Sequence, residues 1–376
     1  TLPKGPTQTE MVSSWNFALL FVVFIVLAIL LRRQNEELSH ISYRHERMKS
    51  LTNVDLGLVW LLHYPKTGAR FTNRLVQRAT QYTVATNYGP ETFNSNDGVP
   101  QEDSRPVYAT YENSPFRSSG LKLPPRYILT NTECTRFHPY SKPDEYVPRV
   151  NDPAAFETAC RSGQRYLSAG GRREDVTYDS DLVEKVVHLT RNPFDVVVSR
   201  FRHELKMRAA MKDVEFVNKY PDNPDGFQMF CRDLDGDDGV RKMEMEWYEP
   251  QIFELVRDVP CHAEFYRYLK FVNMGFKVAD DLGVPEMILR YEDYRSDQQK
   301  TTDKLLEFLD VKRRFWKKNQ RADLVFNYHG GYAAAFYDST QLDAIKEFVM
   351  AVSIGKAATV MNEYMASVRV IQLWRR

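Results

Sequence analysis

The sequence predicts an α/β fold: a central parallel sheet flanked by helices, preceded by one N-terminal transmembrane helix. Three observations carry this reading. Four short apolar runs are each followed by a segment of helical character, the order that winds a parallel sheet. The first run, Leu56–Tyr64 (LGLVWLLHY), is almost continuously apolar, as a strand covered on both faces must be. Residues 17–31 (FALLFVVFIVLAILL) hold no polar side chain at all.

That last run sets the organisation of the chain. A bilayer core takes roughly 20 apolar residues in a helix, with about 17 as the short limit. The stretch is long for a signal-peptide core, and no clear cleavage site comes before Arg32-Arg33. The expected order is a short tail (1–14), a signal-anchor (15–31), a stem (32–51), a main domain (52–340) and a C-terminal helical segment (341–376). Arg32, Arg33, Arg44 and Arg47 follow the span while Lys4 alone precedes it, so charge bias by itself would keep the body cytoplasmic.

Composition narrows the function. Of 376 residues 43% are hydrophobic and 27% charged, enough for a sizeable core and incompatible with wholesale disorder. Lys+Arg 51 against Asp+Glu 50 leaves +1, so no global basic field points to nucleic acid. Any anion site is therefore local. Cys134, Cys160, Cys231 and Cys261 are too scattered for a metal cage; in an oxidising compartment they could form two bridges in any of three pairings.

The elements follow in order. After the first strand comes a helix over Phe71–Thr83, then a Gly/Pro/Asn/Ser-rich stretch at 86–125 that reads as a long loop. Further strands are expected at Arg126–Thr132, Lys185–Thr190 and Glu286–Tyr291. Pro193 opens a helix running to about Arg208, and 221–239 reads as an acidic loop. Helices are expected at Val240–Arg257, Ala263–Leu282 and from Ser296 to Leu309, then beyond Gly330-Gly331 to Leu373. Loop 86–125 and the insertion 212–250 are placed to shape an acceptor pocket.

Two strand ends carry the chemistry. HYPKTGARFTNRL sets Lys66 and Gly68 between a buried strand and a helix start, where unpaired N–H groups and the helix dipole favour an anion. Lys precedes Gly, so this is not a Walker loop. VVHLTRNPFDVVVSRF sets Arg191 at the next strand end and Ser199 eight residues on. Arg191 can grip a phosphate with its fork, with the Ser199 hydroxyl on the same group; alternatively, Arg191 pairs with Asp195. Ligands gather at the carboxyl ends of parallel strands, so both loops should face one crevice.

Together these segments resemble the sulfotransferases: PKTGARF their 5′-phosphosulfate loop, RNPFDVVVS their 3′-phosphate motif, and YEDY at Tyr291–Tyr294 their later strand-end motif. The resemblance runs from about Leu56 to Tyr337 and implies a P-loop-like sulfotransferase fold of the membrane-anchored, Golgi carbohydrate type. It implies 3′-phosphoadenosine 5′-phosphosulfate (PAPS) as donor and no metal. On it, Lys66, Thr67, Gly68, Ala69, Arg70 and Phe71 would bind the 5′-phosphosulfate, and Arg191 and Ser199 the 3′-phosphate. Cytosolic members carry hydroxyl residues where Ala69 and Arg70 stand; heparan-type members tolerate Arg at the second position.

PPRYILTNTECT resembles the family's strand ending in Lys-Thr-His, with Asn131 in place of the Lys and Glu133 in place of the basic His. Glu133 is thus the implied general base, with His138 second. The acidic run from Asp233 to Asp238, with Glu244 beyond, is a near miss to a calcium loop and reads as solvated acid. Arg200, Arg202, His203, Lys206 and Arg208 could offer an acidic glycan a basic face. The resulting expectation is a single-pass Golgi enzyme, its body lumenal, acting on a glycan or other hydroxyl acceptor. A non-catalytic anchored scaffold and a cytosol-facing enzyme for small molecules are the alternatives.

Overall fold

The computed structural model describes residues 56–86, 105–106, 124–132, 134, 152–166, 173–313 and 326–373. The expected anchor and stem, most of loop 86–125, and both base candidates Glu133 and His138 lie outside the described residues. All the described residues belong to one compact unit, Leu56–Arg376.

The strands are β1 Gly57–His63, β2 Ala85–Thr86, β3 Arg105–Pro106, β4 Tyr127–Thr132, β5 Ser162–Tyr166, β6 Arg173–Thr177, β7 Val183–Thr190 and β8 Glu286–Arg290. Six of them form one sheet in the order β3-β2-β4-β1-β7-β8, and every pairing in it is parallel. The four expected strands are its four long members. β5 and β6 form a separate antiparallel pair that the sequence reading missed. Their sequences, SGQRY and REDVT, lack the apolar run that betrays a buried strand.

The helices are α1 Ala69–Thr80, α2 Pro153–Arg161, α3 Pro193–Ala210, α4 Val214–Lys219, α5 Pro224–Asp235, α6 Asp238–Trp247, α7 Pro250–Leu255, α8 His262–Leu282, α9 Asp293–Phe308, α10 Ala333–Phe336, α11 Ser339–Val352 and α12 Gly355–Leu373. Alternation along β1 sorts the core. Leu58, Trp60 and Leu62 face the side packed by α3, α8, α11 and α12, while Val59 and Leu61 face the side packed by α1 and α9.

Three expectations need correction. The stretch 221–239 is not a loop: Asn223 caps α5 by accepting the Gly226 N–H, Pro224 fills its first turn, and Phe227 and Cys231 bury one face. Its Asn, Pro and Gly mark a cap rather than irregular chain. The single helix expected over Val240–Arg257 is two, because Tyr248 turns extended and Pro250 opens α7. The helix expected to start at Ser296 begins at Asp293 and kinks at Asp297.

The helices beyond residue 341 complete the same core. Leu342, Ile345, Phe348 and Val349 of α11, and Val360 and Met361 of α12, are buried with α8. No helix among the described residues is long and apolar enough to cross a membrane.

Candidate active site

From β1 the chain crosses to β2 and the edge strand β3, comes back to β4 beside β1, and later adds β7 and β8 on the other side of β1. The chain changes sides between β1 and β7, and in open parallel sheets the carboxyl ends at such a point frame the ligand crevice. Both sequence motifs sit there.

At the end of β1, Thr67 closes a turn by donating its N–H (3.2 Å) and its hydroxyl (2.8 Å) to the Tyr64 carbonyl. Both Thr67 donors are thereby spent on the turn itself. Lys66 is held left-handed at φ 74, a conformation a non-glycine residue keeps only where its surroundings impose it. Gly68 follows at φ 106, and a Cβ there would lie 2.3 Å from the Tyr291 ring. The loop needs glycine on both counts. α1 then starts with no side-chain cap and no acidic residue in its first turn, so its N–H groups face the crevice uncapped by the protein's own carboxylates. Ala69 is buried, Arg70 exposed, and Phe71 packs against Tyr294 at 5.1 Å and Phe326 at 4.9 Å.

At the end of β7, Arg191 is 3% exposed. Its backbone is gripped at both ends by one hydroxyl: Tyr268 accepts the Arg191 N–H at 3.0 Å and donates to the Arg191 carbonyl at 2.7 Å. Its guanidinium lies 4.6 Å over the Tyr291 ring, donates to the Lys66 carbonyl at 2.6 Å, and donates to the His329 carbonyl. Its Nε is buried without a partner. The two loops thus meet through Arg191. The alternative pairing with Asp195 is not what forms. Asp195 instead accepts Tyr328 Oη–H (3.0 Å), Gly331 N–H (2.9 Å) and Tyr332 N–H (2.8 Å), strapping residues 328–332 across the crevice. Ser199 is half-buried two turns into α3.

Beside Lys66 lies concentrated positive charge. Glu264 is clamped between Arg200 (3.2 Å) and Arg267 (2.7 Å), two cations to one anion, all buried. Burial opposes the Glu264 carboxylate, yet Arg267 and Arg200 hold its pKa below the usual range. His203, one turn beyond Ser199, is lowered to about 4, by burial first and then by Lys66, Arg200 and Lys206. A chain of near-zero net charge thus concentrates positive charge beside the Lys66 loop.

The end of β4 supplies the third wall. Asn131 is 4% exposed, in register with Leu61 of β1, and shares a hydrogen bond with His63. Burial lowers His63 to about 4 and keeps it neutral. Thr132 donates to the Cys160 carbonyl at 3.0 Å, and Cys134 is bridged to Cys160. The chain on either side of Glu133 is therefore fastened to α2. The second bridge joins Cys231 to Cys261, which selects one of the three pairings.

Residues 179–328 match the family model of the sulfotransferase domain. This chain carries a sulfotransferase domain. It is a sulfotransferase enzyme, of a family that takes its sulfuryl group from PAPS. No curated protein and no solved structure matches the chain. The matched residues of this sulfotransferase hold Arg191, Asp195, Ser199 and Tyr291; the Lys66 loop, β4, residues 329–332 of the strap and the C-terminal helices fall outside them. An uncapped helix start behind a left-handed glycine, with Arg191 beside it, fits a nucleotide bearing two phosphate groups.

Two expectations change. The basic face of α3 is largely spent internally: Arg200 on Glu264, Arg202 on Asp222, and Arg208 on Glu204 and Asp213. In the near-calcium run Asp233, Asp237 and Asp238 are exposed as expected, whereas Asp235 and Glu244 turn onto His262. Among the described residues no group of His, Cys, Asp or Glu could hold a metal. Sequence reading missed His63, Tyr268 and Glu264. Only His63 carried a signal, its place beside the Lys66 loop.

Proposed function

We propose that this sulfotransferase moves the sulfuryl group of PAPS to an acceptor hydroxyl, on a glycan, in the Golgi lumen. The observation that carries the donor half is the 2.6 Å bond from Arg191 Nη1 to the Lys66 carbonyl, which sets the two phosphate motifs side by side. In this reading the Lys66 ammonium neutralises charge on the bridging oxygen as the S–O bond breaks. The N–H groups of Gly68, Ala69, Arg70 and Phe71 hold the 5′-phosphate, with Thr67 bracing the turn. Arg191 and Ser199 take the 3′-phosphate.

The acceptor oxygen attacks sulfur in line as its proton passes to the Glu133 carboxylate. Little bonding chemistry is asked of the protein; it positions the partners and stabilises charge. For the fork of Arg191 to reach a phosphate it exchanges one backbone carbonyl for the ligand.

Two bridges support a lumenal, oxidising location over the cytosol-facing alternative. The apolar run 17–31 supports the single-pass anchor. The test is transfer of labelled sulfate from PAPS by the full chain, offered desulfated glycan, a tyrosyl peptide and a small phenol. Label in the glycan alone, lost in Glu133→Gln, upholds the proposal. Label only in the phenol, with the body digested by protease in intact microsomes, replaces it with the cytosol-facing reading.

A further inference from the structure

We infer that the C-terminal helix α12 completes the 3′-phosphate half of the donor site, with Tyr364 as its positioning residue. The inference rests on the donor reading above but gives a role to Tyr364, which lies outside the matched family segment. Tyr364 is 5% exposed, and its hydroxyl lies 3.1 Å from Thr190 Oγ1 and 3.1 Å from Glu292 Oε2. The other Glu292 oxygen, Oε1, accepts the Asn192 N–H at 2.9 Å. A phenol has one proton to give, and a carboxylate only accepts. Tyr364 therefore donates to Glu292, and the Thr190 hydroxyl donates to Tyr364.

The residues immediately before and after Arg191 are thus drawn to a single carboxylate, one directly and one through Tyr364. Arg191 itself is held by Tyr268 at both of its backbone polar groups. A fork that must meet a phosphate within about 0.5 Å needs its backbone fixed to that tolerance. Tyr364 provides part of that fixing from the far end of the chain. Its helix is seated in the core by Val360, Met361 and Met365, so the hydroxyl arrives on a rigid support. Burial raises the Glu292 pKa while the Asn192 N–H works against that rise. Loss of the Tyr364 donor removes one of the two hydrogen bonds that keep the carboxylate in place.

The lever acts first on the 3′-phosphate and reaches the Lys66 loop only through the Arg191 fork. The 5′-phosphosulfate loop hangs from β1, whereas the Thr190–Tyr364–Glu292–Asn192 chain holds the β7 turn. The experiment is calorimetric titration of the full chain, wild type and Tyr364→Phe, with adenosine 3′,5′-bisphosphate and with 5′-AMP. Tyr364→Phe keeps the ring and its packing. It should weaken the bisphosphate about five- to tenfold, the worth of one buried hydrogen bond, and weaken 5′-AMP by less than about twofold.

Thr190→Val breaks the same chain from its other end and should reproduce the loss, the double variant adding little to either. It also stands in should Tyr364→Phe fail to fold. Equal losses for both nucleotides, or none, overturn the inference while leaving the donor site intact. A wild type that does not prefer the bisphosphate overturns the donor reading and this inference with it.

Discussion

At Gly68 two constraints fall on one atom. The left-handed φ of 106 and the Tyr291 ring 2.3 Å from any Cβ both exclude a side chain. Gly68→Ala should cost about 1–2 kcal/mol from the backbone alone, with a further penalty for displacing Tyr291. Urea unfolding reads the first; a drop of more than about tenfold in kcat/KM reads the displaced loop. Wild-type kinetics in that variant would show that the loop tolerates other conformations. The placing of Lys66 and Gly68 after β1, and of Arg191 and Ser199 at and after the end of β7, was legible because each strand end carries a short, distinctive motif. Tyr268 and Tyr364 were not, because a phenol that grips a distant backbone looks like any core aromatic until the chain is folded.

At the scale of elements, the four long strands were legible from their apolar runs, and α1 and α3 from their position after strand ends. What failed was punctuation. Asn223 and Pro224 suggest a loop by composition yet start α5, and Pro250 opens α7 inside a stretch whose pattern suggests one helix. Two predictions belong here. Glu264 joins α8 to α3 by neutralising Arg200 and Arg267 in the interior. Glu264→Gln leaves two buried cations short of an anion and should cost about 3–5 kcal/mol in urea unfolding, far above a surface change. A cost under about 1 kcal/mol would mean water reaches the cluster. The Cys231–Cys261 bridge ties α5 to the start of α8 over a separation of 30 residues. Replacing both cysteines with alanine should lower stability by about 3–4 kcal/mol on a chain-entropy basis. An unchanged unfolding midpoint would count against that bridge forming in the folded protein.

Across the whole molecule, histidines set the pH range. His63 and His203, each lowered to about 4 and each by burial first, resist protons in the folded chain that the unfolded chain accepts below 6.5. Stability should therefore fall as pH drops from about 6.5 toward 4. His262 runs the other way: burial opposes its charge, but Asp235 and Glu244 outweigh it and raise it to about 9. Its contribution is whole below 6.5 and is lost as pH climbs through 9. A melting profile from pH 4 to 9 should peak near 6.5, and His262→Gln should flatten the alkaline limb. A melting temperature that still rises at pH 9 would contradict this.

The central claim is that β1 and β7 end in one site for a nucleotide carrying both a 3′- and a 5′-phosphate group. Its most direct test is calorimetric titration of the full chain with adenosine 3′,5′-bisphosphate, with 5′-AMP as control, in wild type, Lys66→Ala and Arg191→Ala. Wild type should bind the bisphosphate tightly and 5′-AMP more weakly, and both variants should lose bisphosphate binding. A folded wild type that binds neither nucleotide, or binds both alike, would contradict it.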